Sequence, residues 1–308
     1  MQPKKKKKGR ASSMVVFLLV FVLFLVIFGG LCLWAIVKLN GETKGRSSSS
    51  STLLNISGPV FTAEDARNLL IVPEESGQAQ SFVILRMDPA NARIRSLALP
   101  RETAVDVGTE QPRLFELYAD RGIAATEEAV ADLLNLEINN YAVVTYPNLQ
   151  KIITYLNNGV IMVLPESLDY TSADGSYYLK LNGGRQSLTA AQVVDVLKYP
   201  AWHGGRRQQA EIHSQLTTAI VNQYLTDSRK DKADEDFSNI VNYMTTDIRV
   251  SHFNASKEAL LYLASRNTSA DICAVTQVEG EYLGSGDAIR FEVKEEAASL
   301  KNTFSNKK

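Results

Sequence analysis

Ile94-Arg95-Ser96-Leu97-Ala98-Leu99-Pro100-Arg101-Glu102-Thr103-Ala104-Val105 is the stretch on which the reading of this chain turns. The apolar positions Ile94, Leu97 and Leu99 predict a strand, and Pro100, which has no backbone donor, ends it. Arg101, Glu102 and Thr103 are then presented at the carboxyl end of that strand. A cation, a carboxylate and a hydroxyl placed there can form an anion or metal-phosphate site. On these residues alone, a surface turn with a salt bridge at its rim fits better. The surrounding sequence has to decide between the two.

Upstream, residues 81–87 (S-F-V-I-L-R-M) are apolar on both faces, the pattern of a central strand covered on each side. Asp88-Pro89-Ala90-Asn91 is turn chemistry, so residues 93–99 return as the hairpin partner that delivers Arg101. Downstream, Thr126 is placed to cap a helix running to Leu134, with Glu127 and Glu128 in its first turn. Residues 141–145 predict a short strand, 149–156 a helix with one apolar stripe, and 160–164 another buried strand. A strand follows at 177–181, then a short helix at 189–198 that Pro200 stops. The longest helical pattern of the domain covers 206–225. Amphipathic stretches at 237–244 and 256–263 precede strands at 270–278 and 288–293. Strands and helices interleaved in this way predict an α/β class: one α/β/α layered domain with a mixed central sheet and no internal repeat.

The N-terminal part does not belong to that domain. Lys4, Lys5, Lys6, Lys7, Lys8 and Arg10 form a basic block, and residues 14–37 carry no charge. As a helix those 24 residues rise about 36 Å, enough to cross a bilayer with some tilt. The run is too long for the apolar part of a cleaved signal, and no small-residue cleavage site stands out before Lys38. The basic block on its N-terminal side places the N-terminus in the cytoplasm and the rest outside the cell membrane. The expected organisation is a cytoplasmic basic tail (1–13), a transmembrane helix (14–37), a Ser-rich linker (38–60), an extracytoplasmic domain (61–294) and a flexible tail (295–308).

Charge narrows the function. The first 46 residues hold nine of the 33 Lys/Arg and one of the 34 acids, which leaves the outer part at about −9. That balance excludes a nucleic-acid binder, which needs a basic face. Cys273 is the only cysteine beyond Cys32 of the apolar run, so no intramolecular disulfide can staple the domain. His203, His213 and His252 are scattered without zinc spacing. No Gly-X-Ser-X-Gly elbow and no glycine-rich phosphate loop occurs, and nothing in the spacing of Glu166, Asp169 and Asp174 marks an acid pair. A second anion candidate is His203-Gly204-Gly205-Arg206-Arg207-Gln208-Gln209, at the start of the longest helix. Free N–H groups there attract anions, while two arginines in the first turn oppose the helix dipole. A solvated helix start accounts for these residues equally well.

Taken in order, these segments resemble the LytR–CpsA–Psr family of membrane-anchored bacterial proteins, over about residues 68–225. Asn68-Leu69-Leu70-Ile71-Val72 is similar to the family's opening strand, and residues 81–103 to its strand pair ending in Pro-Arg-Asp-Thr. Leu117-Tyr118-Ala119, Tyr141-Ala142-Val143-Val144 and Asn158-Gly159-Val160 follow its middle section, and Arg207-Gln208-Gln209 its Arg-Gln-Gln.

The resemblance implies a phosphotransferase that moves a glycopolymer from a polyprenyl phosphate or pyrophosphate lipid to peptidoglycan or another cell-wall glycan at the membrane, with Mg²⁺. It implies catalytic roles for Arg101, Glu102 and Arg207, and phosphate contacts from Arg101, Lys198, Arg206, Arg207 and Gln208. Glu102 would be the metal ligand, and Arg101 and Arg207 would share one phosphate site. The chain departs from the family pattern at Gln80 (acidic in the family), at Glu102 (Asp), at Lys198 and Pro200 (both Arg) and at Gly204 (Arg). Two further classes therefore stand beside the enzyme: a catalytically reduced relative that binds polyprenyl phosphate or glycan, and a plain membrane-anchored scaffold.

Overall fold

In the computed structural model the described residues are 59–268 and 271–294. The expected basic tail, transmembrane helix, most of the linker and the C-terminal tail lie outside them. Among the described residues no helix is long and apolar enough to cross a membrane.

Strand β1 (Arg67–Glu75) carries a short strand, β2 (Gln78–Ala79), along its end. β3 (Ser81–Asp88) pairs antiparallel with β1 and, through the turn Pro89–Asn91, with β4 (Arg93–Pro100) in full register from Ser81↔Pro100 to Asp88↔Arg93. β5 (Asn140–Thr145) joins β1 in parallel, and β11 (Cys273–Thr276) joins β4 in parallel. With β10 (Thr245–Thr246) at the far edge, the order is β10-β5-β1-β3-β4-β11, a mixed sheet as the interleaved pattern requires.

Alternation along the strands divides two cores. Leu70, Val72, Phe82, Ile84, Leu97 and Leu99 pack against helix α1 (Leu114–Leu134) through Leu114, Leu117 and Val130. On the opposite face Val83 and Ala98 meet Ala210 of helix α4 (Gly205–Tyr224). Leu85 and Ile94 pack there with Leu263 of α6 (Val250–Arg266). Every residue from Ser81 to Arg86 is buried, which is the physical meaning of an apolar run without alternation.

Several elements differ from their sequence-based expectation. Helical residues begin at Leu114, well before Thr126, and Gly122, with a non-helical backbone (φ 75°), divides α1 into two segments at a kink. Thr126 lies just past that kink, and its buried hydroxyl donates to the Gly122 carbonyl instead of accepting from an amide as a cap. α2 (Tyr146–Leu156) starts earlier than its apolar stripe because Thr145 caps it, its hydroxyl accepting from the Asn148 amide. β6 (Gly159–Leu164) lies outside the central sheet and pairs with β9 (Gly184–Thr189). One face of β6 is open to solvent, so Ile161 and Val163 are exposed where a fully buried strand is expected. β7 (Leu168–Thr171) and β8 (Tyr178–Leu181), inserted between β6 and β9 in the chain, form a hairpin, and both strand pairs pack with α2, α3 (Ala190–Lys198) and Ile212 and Leu216 of α4 in a second core. α5 (Ala233–Val241) precedes β10, and β12 (Gly280–Leu283) pairs with β13 (Arg290–Val293) to close the described chain.

Candidate functional site

β4 stops at Pro100, and the Pro100 carbonyl accepts both the amide (3.0 Å) and the hydroxyl (2.7 Å) of Thr103. That tight turn is tied on two sides. Its carbonyls at Arg101 and Thr103 accept the amides of Phe115 (3.0 Å) and Leu114 (2.8 Å) at the start of α1. The Glu102 carbonyl accepts the Phe291 amide of β13 (2.8 Å), and the Phe291 carbonyl accepts the Ala104 amide (2.9 Å). Thr103 is fully buried and Glu102 is 3% exposed. The surface-turn reading therefore fails: this is a buried turn, locked between a helix start and a strand.

The locked turn aims Arg101 and Glu102 into a cavity of about 500 Å³. Gln80, Arg113, Phe115, Pro200, Arg206 and Gln209 line it as well. Arg101 and Arg113 place their guanidinium carbons 4.5 and 4.6 Å from the centre of the same Phe115 ring. With the ring against its face, each guanidinium meets oxygen partners at its edges. Arg113 is also held by Glu116 at 2.5 Å and by the carbonyls of Asp287 and Ile289. Arg206 reaches from the second residue of α4 to Glu102, Nη1 to Oε1, at 2.6 Å.

Arg101 has no carboxylate within ion-pair distance among the described residues. Its amino groups donate to the carboxamide oxygens of Gln80 and Gln78, both at 3.4 Å. Burial pushes its pKa below the ordinary arginine value; Glu102 pulls it back up, and Arg206 and Arg113 press it further down. Arginine keeps its proton regardless. Arg101, Arg113 and Arg206 share the cavity wall with the carboxylates of Glu102 and Asp287. Arg113 is held by Glu116 and Arg206 by Glu102, so Arg101 is the cation left to hold a phosphate oxygen.

The other expected residues are placed differently. Arg207 does not share the cavity with Arg101. Its Nε pairs with Glu211 of the next helical turn (3.0 Å) and its Nη2 donates to the Val278 carbonyl (3.2 Å), so it closes a small cleft beside Pro100 and Phe291. Arg206 occupies the place expected of Arg207. Lys198 pairs with Glu75 at 2.6 Å and stays off the cavity wall. Gln208 turns back to accept the Gly204 amide (2.6 Å) and so serves the helix start. Arg113, Phe115 and Asp287 escaped the sequence reading. Arg113 caps the start of α1 and Phe115 lies in its first turn, a segment for which no helix was expected, and Asp287 enters from the turn before β13.

His213 of α4, one helical turn after the cavity-lining Gln209, is buried. Its Nδ1 lies 3.0 Å from the Gln209 carbonyl, which can only accept, so Nε2 accepts from the Tyr146 hydroxyl at 3.1 Å. Burial lowers its pKa to about 4, and the bond to Gln209 only partly offsets this.

Residues 44–304 match the model of the LytR_cpsA_psr family. The chain belongs to that family. Among curated relatives of this LytR_cpsA_psr chain is the polyisoprenyl-teichoic acid–peptidoglycan teichoic acid transferase TagU of Enterococcus faecalis, 26% identical over 47% of this chain and 51% of the relative. The corresponding transferase TagV of Bacillus subtilis is 23% identical over 71% of this chain and 56% of the relative. The chain thus spans about half the length of the curated relatives it matches. The crystal structure of B. subtilis TagV superimposes with a TM-score of 0.64 at 18% identity, covering 78% of this chain and 96% of that one. A structure of TagT bound to LIIa-WTA does so with a TM-score of 0.58 at 13% identity, covering 85% and 98%. The mixed α/β fold is shared with these structures.

Proposed function

We propose that this chain transfers a glycopolymer from a polyprenyl phosphate or pyrophosphate carrier to peptidoglycan or another cell-wall glycan, using the Arg101 cavity. The observation that carries this reading is Arg101 itself. It is a stacked guanidinium without a carboxylate partner among the described residues, beside Arg113 and Arg206. In the transfer, an acceptor hydroxyl forms a new P–O bond at the glycan-linked phosphorus. With a pyrophosphate carrier the P–O bond to the bridging oxygen breaks and polyprenyl phosphate departs with that electron pair, with a monophosphate carrier the polyprenol departs instead, and the hydroxyl proton passes to solvent. Arg101, Arg113 and Arg206 supply positive charge where the leaving phosphate gains negative charge. Arg207, Lys198 and Gln208 stand outside the lining of this cavity, and we assign them no contact with the phosphate.

Glu102 and the carboxamide oxygen of Gln80 are hard oxygen donors on the cavity wall. That set fits Mg²⁺ held mainly by phosphate oxygens and water, since the ion commonly takes only one or two protein carboxylates. When bound, magnesium would neutralise pyrophosphate charge as a Lewis acid. The same reading puts the chain in the cell membrane through residues 14–37, with its N-terminus cytoplasmic and the cavity outside.

Pro200 on the cavity wall and Lys198 tied to Glu75 favour a second reading, a relative that holds polyprenyl phosphate without turning it over. Incubation of the full-length chain with a labelled polyprenyl pyrophosphate and Mg²⁺ separates the two. Release of polyprenyl monophosphate that disappears in Arg101→Ala supports transfer. Arg101-dependent binding without release supports the second reading, and absence of both sinks the assignment.

A further inference from the structure

A second cavity, of about 530 Å³, opens at the other end of the central sheet. Arg67, Asn68, Arg86, Asn139, Asn140 and His252 line it. Its floor is Arg86, which is only 6% exposed. Nη1 of Arg86 donates to Asn68 Oδ1 at 3.1 Å, and Nε is buried with no acceptor. The Nε–Nη2 edge, one of the two edges by which a guanidinium grips an oxyanion, has no partner among the described residues.

No carboxylate forms an ion pair with Arg86 among the described residues, although Asp88 favours its charge from a distance and Arg93 opposes it. Arg95 stands directly opposite Arg86 in the β3–β4 register, and neither forms an ion pair among the described residues. Like charges in that position repel. Asp88 acts on Arg86 from a distance but is committed to Arg93 (3.0 Å) and Asn91 (2.8 Å). A buried cation left in this state destabilises the fold unless something supplies the counter-charge.

The wall is built, not incidental. Asn68 gives its side-chain amide to the Glu137 carbonyl (2.6 Å) and its backbone amide to Asn139 Oδ1 (2.7 Å), which fixes the oxygen that orients Arg86. The Asn140 amide lies 3.1 Å from His252 Nδ1; a carboxamide nitrogen only donates, so the neutral ring carries its proton on Nε2. Glu64 and Glu137, both exposed, also line the cavity and disfavour a highly charged polymer.

We propose that this cavity is a second binding site, for a single carboxylate or phosphate group carried on a small polar molecule, with Arg86 as its anchor. It is separate from the Arg101 cavity: Ser81 and Arg86 are five strand residues apart, roughly 17 Å.

Arginine side-chain ¹⁵Nε NMR of the full-length chain tests this, with glucuronate as the carboxylate probe, glucose 6-phosphate as the phosphate probe and glucose as the uncharged control. The Arg86 signal is identified by its loss in Arg86→Lys. One or both anions should shift that signal saturably in the unmodified chain, and which one does so names the oxyanion; glucose should not. Arg86→Gln should weaken binding at least about tenfold, and Arg101→Gln should leave it within about twofold. No shift with either anion overturns the proposal, and so does binding that survives Arg86→Gln but not Arg101→Gln. The signal in the unmodified chain decides even if Arg86→Gln fails to fold.

Discussion

Nη1 of Arg206 lies 2.6 Å from Oε1 of Glu102, a contact that joins the first turn of α4 to the end of β4 across 104 residues of chain. Glu102 is buried while the Arg206 side chain is half exposed, so the pair matters mainly through what its loss leaves behind. Arg206→Ala should destabilise the domain by about 1–2 kcal/mol, because the carboxylate stays buried without its cation. Adding Glu102→Gln should recover part of that loss. A double-mutant cycle by urea unfolding measures the coupling; a value indistinguishable from zero would mean the two residues act independently.

Only one of the two arginines singled out by the resemblance lines the cavity. Arg101→Ala should weaken binding of a polyprenyl pyrophosphate by about tenfold or more, whereas Arg207→Ala should change it by less than about twofold. Titration calorimetry with the same lipid reads both. Equal losses would return Arg207 to the phosphate site.

His213 links this region to pH. Its pKa is about 4 in the folded chain and about 6.5 in the unfolded chain, because burial disfavours the charged ring. Between those values the unfolded state binds more protons, so stability falls as pH drops from about 6.5 to about 4 and levels off below. The full effect is roughly 3 kcal/mol. His213→Gln should flatten the dependence of the unfolding midpoint across that window. An unchanged slope would assign the acid sensitivity to other groups.

Gly280 is the point where the C-terminal hairpin meets Phe291. A Cβ there would stand 2.4 Å from the Phe291 ring and 2.5 Å from the Glu292 carbonyl oxygen. Gly280→Ala should therefore cost about 1–3 kcal/mol through overpacking. Phe291 is bonded to both Glu102 and Ala104, so the same change should also weaken phosphate binding at Arg101. Thermal unfolding and lipid titration read the two effects. Loss of stability with intact binding would show that the hairpin and the turn are uncoupled.

Much of the architecture is legible locally. The apolar run at 82–85 announces a strand covered on both faces, and that strand lies within the central sheet. Arg113 and Phe115 were not legible, because the helix expected from Thr126 is only the part of α1 beyond the break at Gly122, and these two residues stand at the start of the part before it. Burial of Glu102 was not legible either. It depends on amides supplied by Phe115 and by Phe291, the latter 189 residues later than Glu102 in the chain.

Alternation and a proline's missing donor are properties of neighbouring residues, so the sequence by itself determined the strand ending at Pro100 and the cation, acid and hydroxyl that follow it. Arg206 and Arg207 are adjacent on a helix of 3.6 residues per turn and point about 100° apart. Only the packing of α4 against the sheet sets its rotation, and so only the tertiary structure decided that Arg206 meets Glu102 while Arg207 turns to Glu211.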